Sequence, residues 1–340
     1  MESIFNLLLS DLVEYFISIN EKPFKAKQIF DWLYKKRVYA FKEMSNISKS
    51  LADKLIANFS IDMLIMKRKQ TSKLTNKYLF ELEDGNLIEA VLMRHDYGNS
   101  ICVSSQVGCN MGCSFCESGR LKKVRDLEAG EIVRQILMIE EDIKERISSV
   151  VIMGIGEPFD NYDNIMKFIR IINDPLGIAI GARHITVSTS GIIPRIYDYA
   201  NEEIQTNLAI SLHAPNNDLR SRIMQVNKAY KIEELIIAIR EYIAKTNRRV
   251  TIEYVMLKGV NDSLRNALEL ANLIEGLNVY VNLIPYNETS HIKYKKSSNE
   301  AIMAFYDKLK KCGINVTVRK EFGGKIDAAC GQLRASEVEK

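Results

Sequence analysis

The sequence lacks several features that would place it in a particular class of proteins. It contains no uninterrupted apolar run of about eighteen residues, the length that a membrane-spanning helix requires. The first residues contain no basic segment before their short apolar stretch, so we expect no secretory signal and a cytoplasmic location. Internal repeats and low-complexity segments are also absent. The composition is that of an ordinary globular protein, and 340 residues suffice for one large domain and a smaller one.

The charge of the chain is nearly balanced, with a formal net charge of +4 that is too small to indicate a nucleic-acid partner. The basic residues are nevertheless clustered, one group lying between Lys22 and Arg37 and another between Lys67 and Lys77. Such clusters can neutralise phosphates, although a run of charge more often covers a solvated helix face. Composition alone favours the solvated face.

The cysteines are concentrated in one short stretch of the chain. Four of the six lie within fifteen residues, at Cys102, Cys109, Cys113 and Cys116. Because no export signal is expected, disulfides are disfavoured and metal binding or redox chemistry is favoured. Cys330 lies in a segment of small residues near the C-terminus, which suits a mobile tail. Cys312 matches no functional pattern, and we assign it to packing.

The hydrophobic pattern changes along the chain and predicts two domains. Residues 1–86 predict three helices followed by a small hairpin, which together form an accessory domain. From residue 87 to residue 333, six short β-branched runs alternate with helical patterns; these predicted strands are 101–105, 150–153, 185–189, 208–212, 250–256 and 279–284. This alternation predicts parallel βαβ units, arranged as an α/β barrel or as an open doubly wound sheet. Residues 334–340 form a tail.

Polar motifs follow the predicted strands and do not precede them. They occupy residues 109–116, 154–158, 188–191, 211–213 and 285–287. In a barrel, the loops after the carboxyl ends of the strands share one mouth. We therefore expect these five segments to form a single site.

Cys109, Cys113 and Cys116 have the spacing C-x3-C-x2-C. Three thiolates on one short loop can bind three irons of a [4Fe–4S] cluster, which leaves the fourth iron open to a small molecule. Zinc is the alternative, because Cys3His sites have similar local spacing. A zinc site would need a fourth ligand, and the nearest histidine upstream is His95. The loop follows a strand of a βα unit and does not lie in a ribbon, so we favour the cluster.

This cysteine motif, placed after the first strand of a predicted barrel, resembles the signature of the radical S-adenosylmethionine (SAM) superfamily. The segment Gly154–Pro158 resembles the motif with which that superfamily contacts the methionine amino group of SAM. Further segments, in the same order, resemble the RlmN/Cfr family of RNA methyltransferases; they lie at 102–109, 188–194, 208–215, 281–287 and 326–333. The resemblance implies a partial (β/α)6 barrel with a cluster on the three cysteines, and an accessory domain available for RNA binding.

The resemblance also implies a reaction, the methylation of carbon 2 of an adenosine in 23S rRNA (adenine 2503), with tRNA (adenine 37) as a further candidate substrate. An amidine-type ring carbon is electrophilic and does not attack the methyl group of SAM, whereas a radical route is open. The family uses two SAM molecules per turnover, and the residue matching Cys330 carries the methyl group as S-methylcysteine. The residue matching Cys102 resolves the covalent protein–RNA adduct through a transient disulfide with it. Glu89 matches the position of a candidate proton acceptor.

Seven residues match positions that contact SAM in the family: Gly156, Glu157, Ser188, Ser211, Leu212, His213 and Asn287. We interpret His213 as a satisfied loop histidine and not as a metal ligand. The resemblance further implies an electron donor such as flavodoxin, and we expect a monomer with no membrane attachment. The chain departs from the family pattern at Glu117 and Gln225, where a small residue and a proline are usual. These departures leave open whether the chain is a divergent paralogue.

Three other functions remain open. The branch of the family that methylates carbon 8, and so confers ribosomal antibiotic resistance, shares every catalytic residue. A different radical SAM enzyme, such as a glycyl-radical activase or an oxidoreductase, would need no C-terminal cysteine. A non-catalytic zinc module that binds RNA would use the same basic N-terminal helices.

Overall fold

The fold is known from a computed structural model that describes residues 1–319 and 331–333. Its helices are α1 (Leu9–Ser18), α2 (Phe24–Tyr34), α3 (Lys49–Asn58), α4 (Ala129–Ile143), α5 (Tyr162–Asn173), α6 (Ile193–Tyr199), α7 (Asn217–Ile223), α8 (Ile232–Thr246), α9 (Leu264–Leu273) and α10 (Asn299–Lys311). Its strands are β1 (Glu2–Ser3), β2 (Phe59–Ser60), β3 (Ile65–Thr71), β4 (Thr75–Glu81), β5 (Leu87–His95), β6 (Gly98–Cys102), β7 (Gln106–Val107), β8 (Arg125–Asp126), β9 (Ile147–Ile152), β10 (Ile185–Thr189), β11 (Asn207–Ser211), β12 (Val250–Met256), β13 (Val279–Pro285) and β14 (Val316–Val318).

A sheet of ten strands forms the centre of the fold, in the order β14-β13-β12-β11-β10-β9-β6-β5-β4-β3. From β6 to β14 each strand pairs in parallel with the next strand of this layer along the chain. Helices connect these strands, and this sequential winding is that of a barrel and not of a doubly wound sheet. The predicted α/β partial barrel is confirmed. Its six predicted strands are all present, and the short strand β14 is a seventh that the pattern did not predict.

The remaining strands extend the sheet in the antiparallel direction. Strands β3, β4, β5 and β6 pair consecutively, and β4 and β5 are in register from Thr75–Met93 to Glu81–Leu87. The boundary predicted at residue 86 therefore falls in the turn of a hairpin whose two strands belong to the same sheet. The hairpin that we placed in the accessory domain is part of the barrel layer.

Buried apolar residues explain why these segments take their observed forms. In α5, Ile165, Ile169 and Ile172 recur at helical spacing and are fully buried against the sheet. Strand β12 is buried along nearly its whole length, as expected for a parallel strand with both faces covered. The apolar residues of α1, α2 and α3 belong to the same hydrophobic core as those of the barrel. The N-terminal helices therefore share one core with the barrel.

The N-terminal segment is also joined to the barrel by polar contacts. The Asn6 side chain donates to Glu128 (2.7 Å) and accepts from the Gly130 amide (2.7 Å) at the start of α4. The basic cluster between residues 67 and 77 is largely engaged in ion pairs. Three lysines of this cluster have carboxylate partners within 2.6–2.8 Å, in the pairs Lys67–Glu81, Lys69–Asp142 and Lys77–Glu89.

Two further expectations are tested by the fold. None of the helices in the described part of the chain is both long and apolar enough to cross a membrane. Cys312 caps the C-terminus of α10 and is exposed, so its assignment to core packing was wrong. Helix α10 ends at Lys311, directly before Cys312, and the chain at its C-terminus faces solvent.

Candidate active site

A cavity opens at the carboxyl ends of the parallel strands, where the sequence predicted a shared mouth. Its wall is formed by the cysteine loop, which comprises residues 108–124 between β7 and β8, and by residues that end or follow the five neighbouring strands from β9 to β13. The cavity measures about 970 Å³ when the part open to solvent is included. This volume is at the upper end of the range for small-molecule sites. The polar segments of the sequence are thus brought together at one site.

All three cysteines of the C-x3-C-x2-C motif line this cavity. Their loop is tightly folded, and the Cys116 amide donates to the Cys113 carbonyl at 3.1 Å. Gly108, directly before Cys109, has a φ of +76° and faces the backbone of Lys122. A Cβ at this position would lie 2.1 Å from the Lys122 carbonyl oxygen, so a side chain would force the loop open.

The three thiols lie close enough to influence one another's ionisation. Burial raises the pKa of Cys109 to about 12, and the charge of Cys116 contributes to this increase. Burial also raises the pKa of Cys113 well above its ordinary value, with further increases from Cys116 and Cys109. Such thiols stay protonated at neutral pH unless a metal replaces the protons. The donor set therefore fits a group that brings positive charge of its own.

The cysteine loop supplies three thiol donors to one cavity. Within residues 1–319 and 331–333, no three or more His, Cys, Asp or Glu side chains form a group that could hold one metal ion. Structural zinc needs its sulfur ligands about 2.3 Å from the same ion. A cubane cluster binds each cysteine through a different iron, so its ligands stand farther apart. Three thiols on one loop suit a [4Fe–4S] cluster, in which one iron is left open to a small molecule.

Two glycines let the loop after β9 pass close to the chain that leads into the cysteine loop. A Cβ at Gly154 would lie 2.6 Å from the Val103 carbonyl oxygen. A Cβ at Gly156, where φ is +109°, would lie 2.6 Å from the Ser105 hydroxyl. The absence of side chains here brings the backbone of this loop to the cavity beside the cysteines.

The buried carboxylate of Glu157 connects the ends of β9 and β10. It accepts hydrogen bonds from the backbone amides of Phe159 (3.0 Å) and Ser190 (2.7 Å). Burial raises the pKa of Glu157, and these two hydrogen bonds oppose the increase. Because both carboxylate oxygens already bind backbone amides, the side chain fixes the shape of the cavity wall.

Six of the seven residues expected to contact SAM line the cavity. Besides the two in the glycine motif, these are Ser188, Ser211, His213 and Asn287, at the ends of β10, β11 and β13. The Ser188 and Ser211 hydroxyl oxygens are 3.4 Å apart across two neighbouring strands. Leu212 differs, because its side chain is completely buried in the hydrophobic core.

His213 is a satisfied loop histidine, in agreement with our interpretation of the sequence. Its Nδ1 accepts a hydrogen bond from the Val255 amide (3.1 Å), and its ring meets Phe115 edge to face at 5.0 Å between centroids. Burial, with a smaller contribution from the charge of Arg220, lowers the pKa of His213 from 6.5 to about 3. The imidazole is therefore neutral at every pH at which the protein is expected to work.

A consequence for stability follows from this depressed pKa. Below pH 6.5 the histidine is protonated in the unfolded chain, whereas in the folded chain it stays neutral until about pH 3. The free energy of unfolding should therefore fall with decreasing pH across this window, by a total on the order of 5 kcal/mol. Asparagine suits the position, since its side-chain oxygen can accept from the Val255 amide and it tolerates the φ of +58°.

We expect His213→Asn to remove this part of the pH dependence. Urea unfolding of the cluster-free protein between pH 8 and pH 4.5 measures it. Plotted against pH, the free energies of unfolding of the wild type and the variant should approach each other as the pH falls. Curves that stay parallel over the whole range would show that His213 does not titrate differently in the two states.

Cys102 and Glu89 lie on the same face of the sheet. Val91 of β5 pairs with Cys102 of β6, and Glu89 precedes Val91 by two residues, so all three side chains point to one side. Cys102 belongs to a small apolar cluster that also contains Val91 and Leu333. The Glu89 carboxylate is buried and forms a salt bridge with Lys77 at 2.8 Å, which fixes its orientation.

Cys330 lies outside the described residues, but the three residues that follow it, 331–333, are described. The Glu117 amide donates to the Gly331 carbonyl (2.8 Å), and the Ser118 hydroxyl donates to the Leu333 carbonyl (2.7 Å). Both donors belong to the cysteine loop. The chain directly after Cys330 is therefore held beside that loop and, through Leu333, beside Cys102.

The two departures from the family pattern both involve the cysteine loop. Glu117 directly follows Cys116, is almost completely buried, and accepts a hydrogen bond from Arg120 at 3.2 Å. Gln225 lies against Gly112, where an added Cβ would be 3.0 Å from its side-chain amide. These positions therefore shape the surroundings of the cysteines without removing a thiol.

The sequence did not indicate two charged residues of this region. Glu253 lines the cavity from β12 and accepts from the Asn282 amide group (2.9 Å), and burial raises its pKa. Arg220 of α7 is completely buried and donates to the carbonyls of Ser190 (2.5 Å) and Leu212 (3.2 Å). Glu253 could have been found from the sequence, because a charged residue within an apolar strand indicates a functional position. Arg220 could not, because its sequence context is that of an arginine on a helix surface.

Two family models match the chain. The model described as the Radical SAM superfamily matches residues 103–271. The model described as the ribosomal RNA large subunit methyltransferase N-terminal domain matches residues 3–61. The first match covers the cysteine loop and the strands from β9 to β12, and the second covers the N-terminal helices.

Curated relatives are similar over essentially the whole chain. The protein from Listeria monocytogenes named "Probable dual-specificity RNA methyltransferase RlmN" is 56% identical over 99% of this chain and 95% of its own length. The protein of the same name from Enterococcus faecalis is 57% identical over 100% of this chain and 98% of its own length. The crystal structure of a radical SAM methyltransferase from Sphaerobacter thermophilus superposes with a TM-score of 0.95 at 42% identity, over 99% of this chain and 100% of that one.

Proposed function

This chain belongs to the RlmN family of radical SAM RNA methyltransferases, and we propose that it methylates carbon 2 of an adenosine in 23S rRNA and also in tRNA. Members of this family are SAM-dependent enzymes with a [4Fe–4S] cluster that act on ribosomal RNA. The observation that carries the proposal is the cavity in which three cysteines meet at the strand ends, next to Cys102 and to the chain that follows Cys330. The dual specificity in the names of the relatives supports two RNA substrates.

We assign the cluster to Cys109, Cys113 and Cys116. When bound, the cluster supplies an electron to SAM, and two SAM molecules per turnover supply the methyl group and the adenosyl radical. The residues around the cavity hold and shield these groups, with Gly156 and Glu157 on one side and Ser188, Ser211, His213 and Asn287 on the others. Leu212 would take part only through its backbone, because its side chain is in the core.

Cys330 is proposed to carry the methyl group. Its thiolate would accept the methyl group and become a thioether. One hydrogen atom of this methyl group would then pass to the adenosyl radical, and the methyl carbon would bond to the adenine ring. The anchoring of residues 331–333 to the cysteine loop, with Gly331 lining the cavity, supports this role.

Cys102 and Glu89 are proposed to complete the reaction. Glu89 accepts the proton that the substituted ring carbon loses. The Cys102 thiolate then attacks the sulfur of Cys330, so that an S–S bond forms, the carbon–sulfur bond breaks and its electron pair stays with the carbon, which takes up a proton. The common face shared by Cys102 and Glu89, and the apolar cluster to which Cys102 and Leu333 both belong, support this assignment.

The cellular setting is part of the proposal. The reaction consumes electrons, so a low-potential one-electron donor such as flavodoxin is required. We propose a cytoplasmic monomer. The shared core of the N-terminal helices and the barrel supports a single chain as the working unit, because it needs no partner chain to cover those helices.

Reconstitution with a defined RNA tests the function. The anaerobic protein, loaded with iron and sulfide, is incubated with SAM, a reductant and an unmodified 23S rRNA fragment or tRNA, and the nucleosides are analysed by mass spectrometry. We expect 2-methyladenosine from both RNAs. 8-Methyladenosine would assign the chain to the other branch of the family, and release of 5′-deoxyadenosine without a methylated nucleoside would refute RNA methylation and keep the radical SAM chemistry.

A further inference from the structure

Arg220 is a completely buried cation with no carboxylate partner within salt-bridge distance in residues 1–319 and 331–333. Its hydrogen bonds go to neutral acceptors, namely the carbonyls of Ser190, Ser211 and Leu212 and the side-chain oxygen of Asn227. Burial lowers the pKa of Arg220 to about 10, so it keeps its proton at neutral pH. Burying an ion without a counter-charge is costly. The negative charge that balances Arg220 must therefore come from a neighbouring group.

The neighbour of Arg220 is the cysteine loop. Ser114, directly after Cys113, donates through its backbone amide to the carbonyl of Ile223 (2.9 Å), the last residue of the helix that carries Arg220. On the other side, Arg220 binds the carbonyl of Ser190, whose hydroxyl contacts the Met111 sulfur at 3.3 Å. The elements that surround the guanidinium are thus attached to the cysteine loop at two points, Ser114 and Met111.

The helix that carries Arg220 also packs against the cysteine loop through apolar side chains. Leu219 and Ile223 of α7 and Phe115 of the loop belong to one hydrophobic cluster, against which Cys113 and Cys116 pack. Three thiolates outweigh the two positive charges of an oxidised cubane core, so the occupied site carries net negative charge. Reduction by one electron from the external donor adds another negative charge, which a fixed neighbouring cation stabilises.

We propose that Arg220 is a positioning residue for the iron–sulfur cluster, a built-in counter-charge that favours its reduced state, while its guanidinium fork joins the ends of β10 and β11 around the site. This inference rests on the assignment of Cys109, Cys113 and Cys116 as the cluster ligands. It does not depend on the RNA substrate. Arginine suits both tasks, because it keeps its charge when buried and binds several carbonyls at once.

The midpoint potential of the cluster, measured by EPR-monitored titration with dithionite in the absence of RNA, tests this role. In Arg220→Gln we expect the reduction equilibrium to be about tenfold less favourable, which is a midpoint lower by about 59 mV. In Arg220→Lys the charge is kept, so the midpoint should stay near that of the wild type even though hydrogen bonds are lost. A purely structural role would affect both variants alike in stability and leave both midpoints unchanged.

A second variant keeps the arginine and changes its partner. Asn227→Asp places a carboxylate at the atom that now accepts from Arg220 at 3.1 Å, so it neutralises the cation in place. We expect its midpoint to fall as in Arg220→Gln, whereas Asn227→Ser should keep the wild-type value. If Asn227→Asp leaves the midpoint unchanged, the counter-charge role is refuted. If the wild-type protein fails to methylate RNA while the variants show the expected midpoint shifts, the failure concerns the proposed function and not this inference.

Discussion

Cys113→Ala is expected to abolish the iron–sulfur cluster and, with it, every activity of the enzyme. Cys113 lies between the other two cysteines in sequence and lines the cavity. Its loss leaves two thiols, which cannot hold three irons of a cubane. After anaerobic reconstitution, the variant should bind little iron and lack the brown absorbance of the wild type.

Cys312→Ala is the matched control, because this exposed cysteine lies after α10 and outside the cavity. It should bind iron and methylate RNA like the wild type. The wild type and the two variants are compared by their iron content, visible absorbance and release of 5′-deoxyadenosine. A Cys113→Ala protein that forms a normal cluster would overturn the ligand assignment, and with it the inference drawn for Arg220.

Cys102→Ala is expected to trap the RNA on the protein. If Cys102 resolves the adduct, its removal stops the reaction after the bond between the methyl carbon and adenine has formed. The variant should then accumulate a covalent protein–RNA species after reconstitution with SAM and reductant, visible as a shifted band on a denaturing gel. Free methylated nucleoside should fall by at least about two orders of magnitude, in line with the loss of an essential nucleophile.

Cys330→Ala provides the contrasting result. Without the methyl-carrying sulfur no adduct can form, so this variant should yield neither the shifted band nor the methylated nucleoside, and the double variant should behave like Cys330→Ala. The cluster should be retained in all three proteins. A shifted band in Cys330→Ala, or efficient release of product by Cys102→Ala, would contradict the roles assigned to these two cysteines.

The sequence predicted most of the barrel because its strands are apolar and bounded by clear breaks. The strands Ile185–Thr189 and Val250–Met256 were predicted at their observed limits. The first barrel strand was placed about three residues too late, since it begins with Gly98 and the polar pair Asn99 and Ser100. The two polar side chains form hydrogen bonds with Glu145 and with the hydroxyl of Ser149. A polar residue with a distant partner gives no local signal.

The candidate site was predicted to the extent that it depends on motifs. The three cysteines, the glycine motif and the strand-end serines all line one cavity, because parallel strands bring their carboxyl ends to the same edge. Arg220 was not predicted, because an isolated charged residue on a helix has the same local pattern whether it faces solvent or the core. The continuity of the predicted hairpin with the barrel sheet was also missed, because β5 joins it through β6, whose parallel pairing with the distant β9 has no local signal.

The position of β3 at one end of the ten-stranded sheet gives the basic cluster between residues 67 and 77 another meaning. The outer strand of a sheet presents unpaired backbone groups to which a strand of another molecule can add, the first step of aggregation. Lys67, Arg68 and Lys69 lie on this strand. A strand that approached it would have to desolvate their charges. The lysine-rich edge therefore protects a sheet that is open on this side from joining another copy, so the charge run contributes to colloidal solubility.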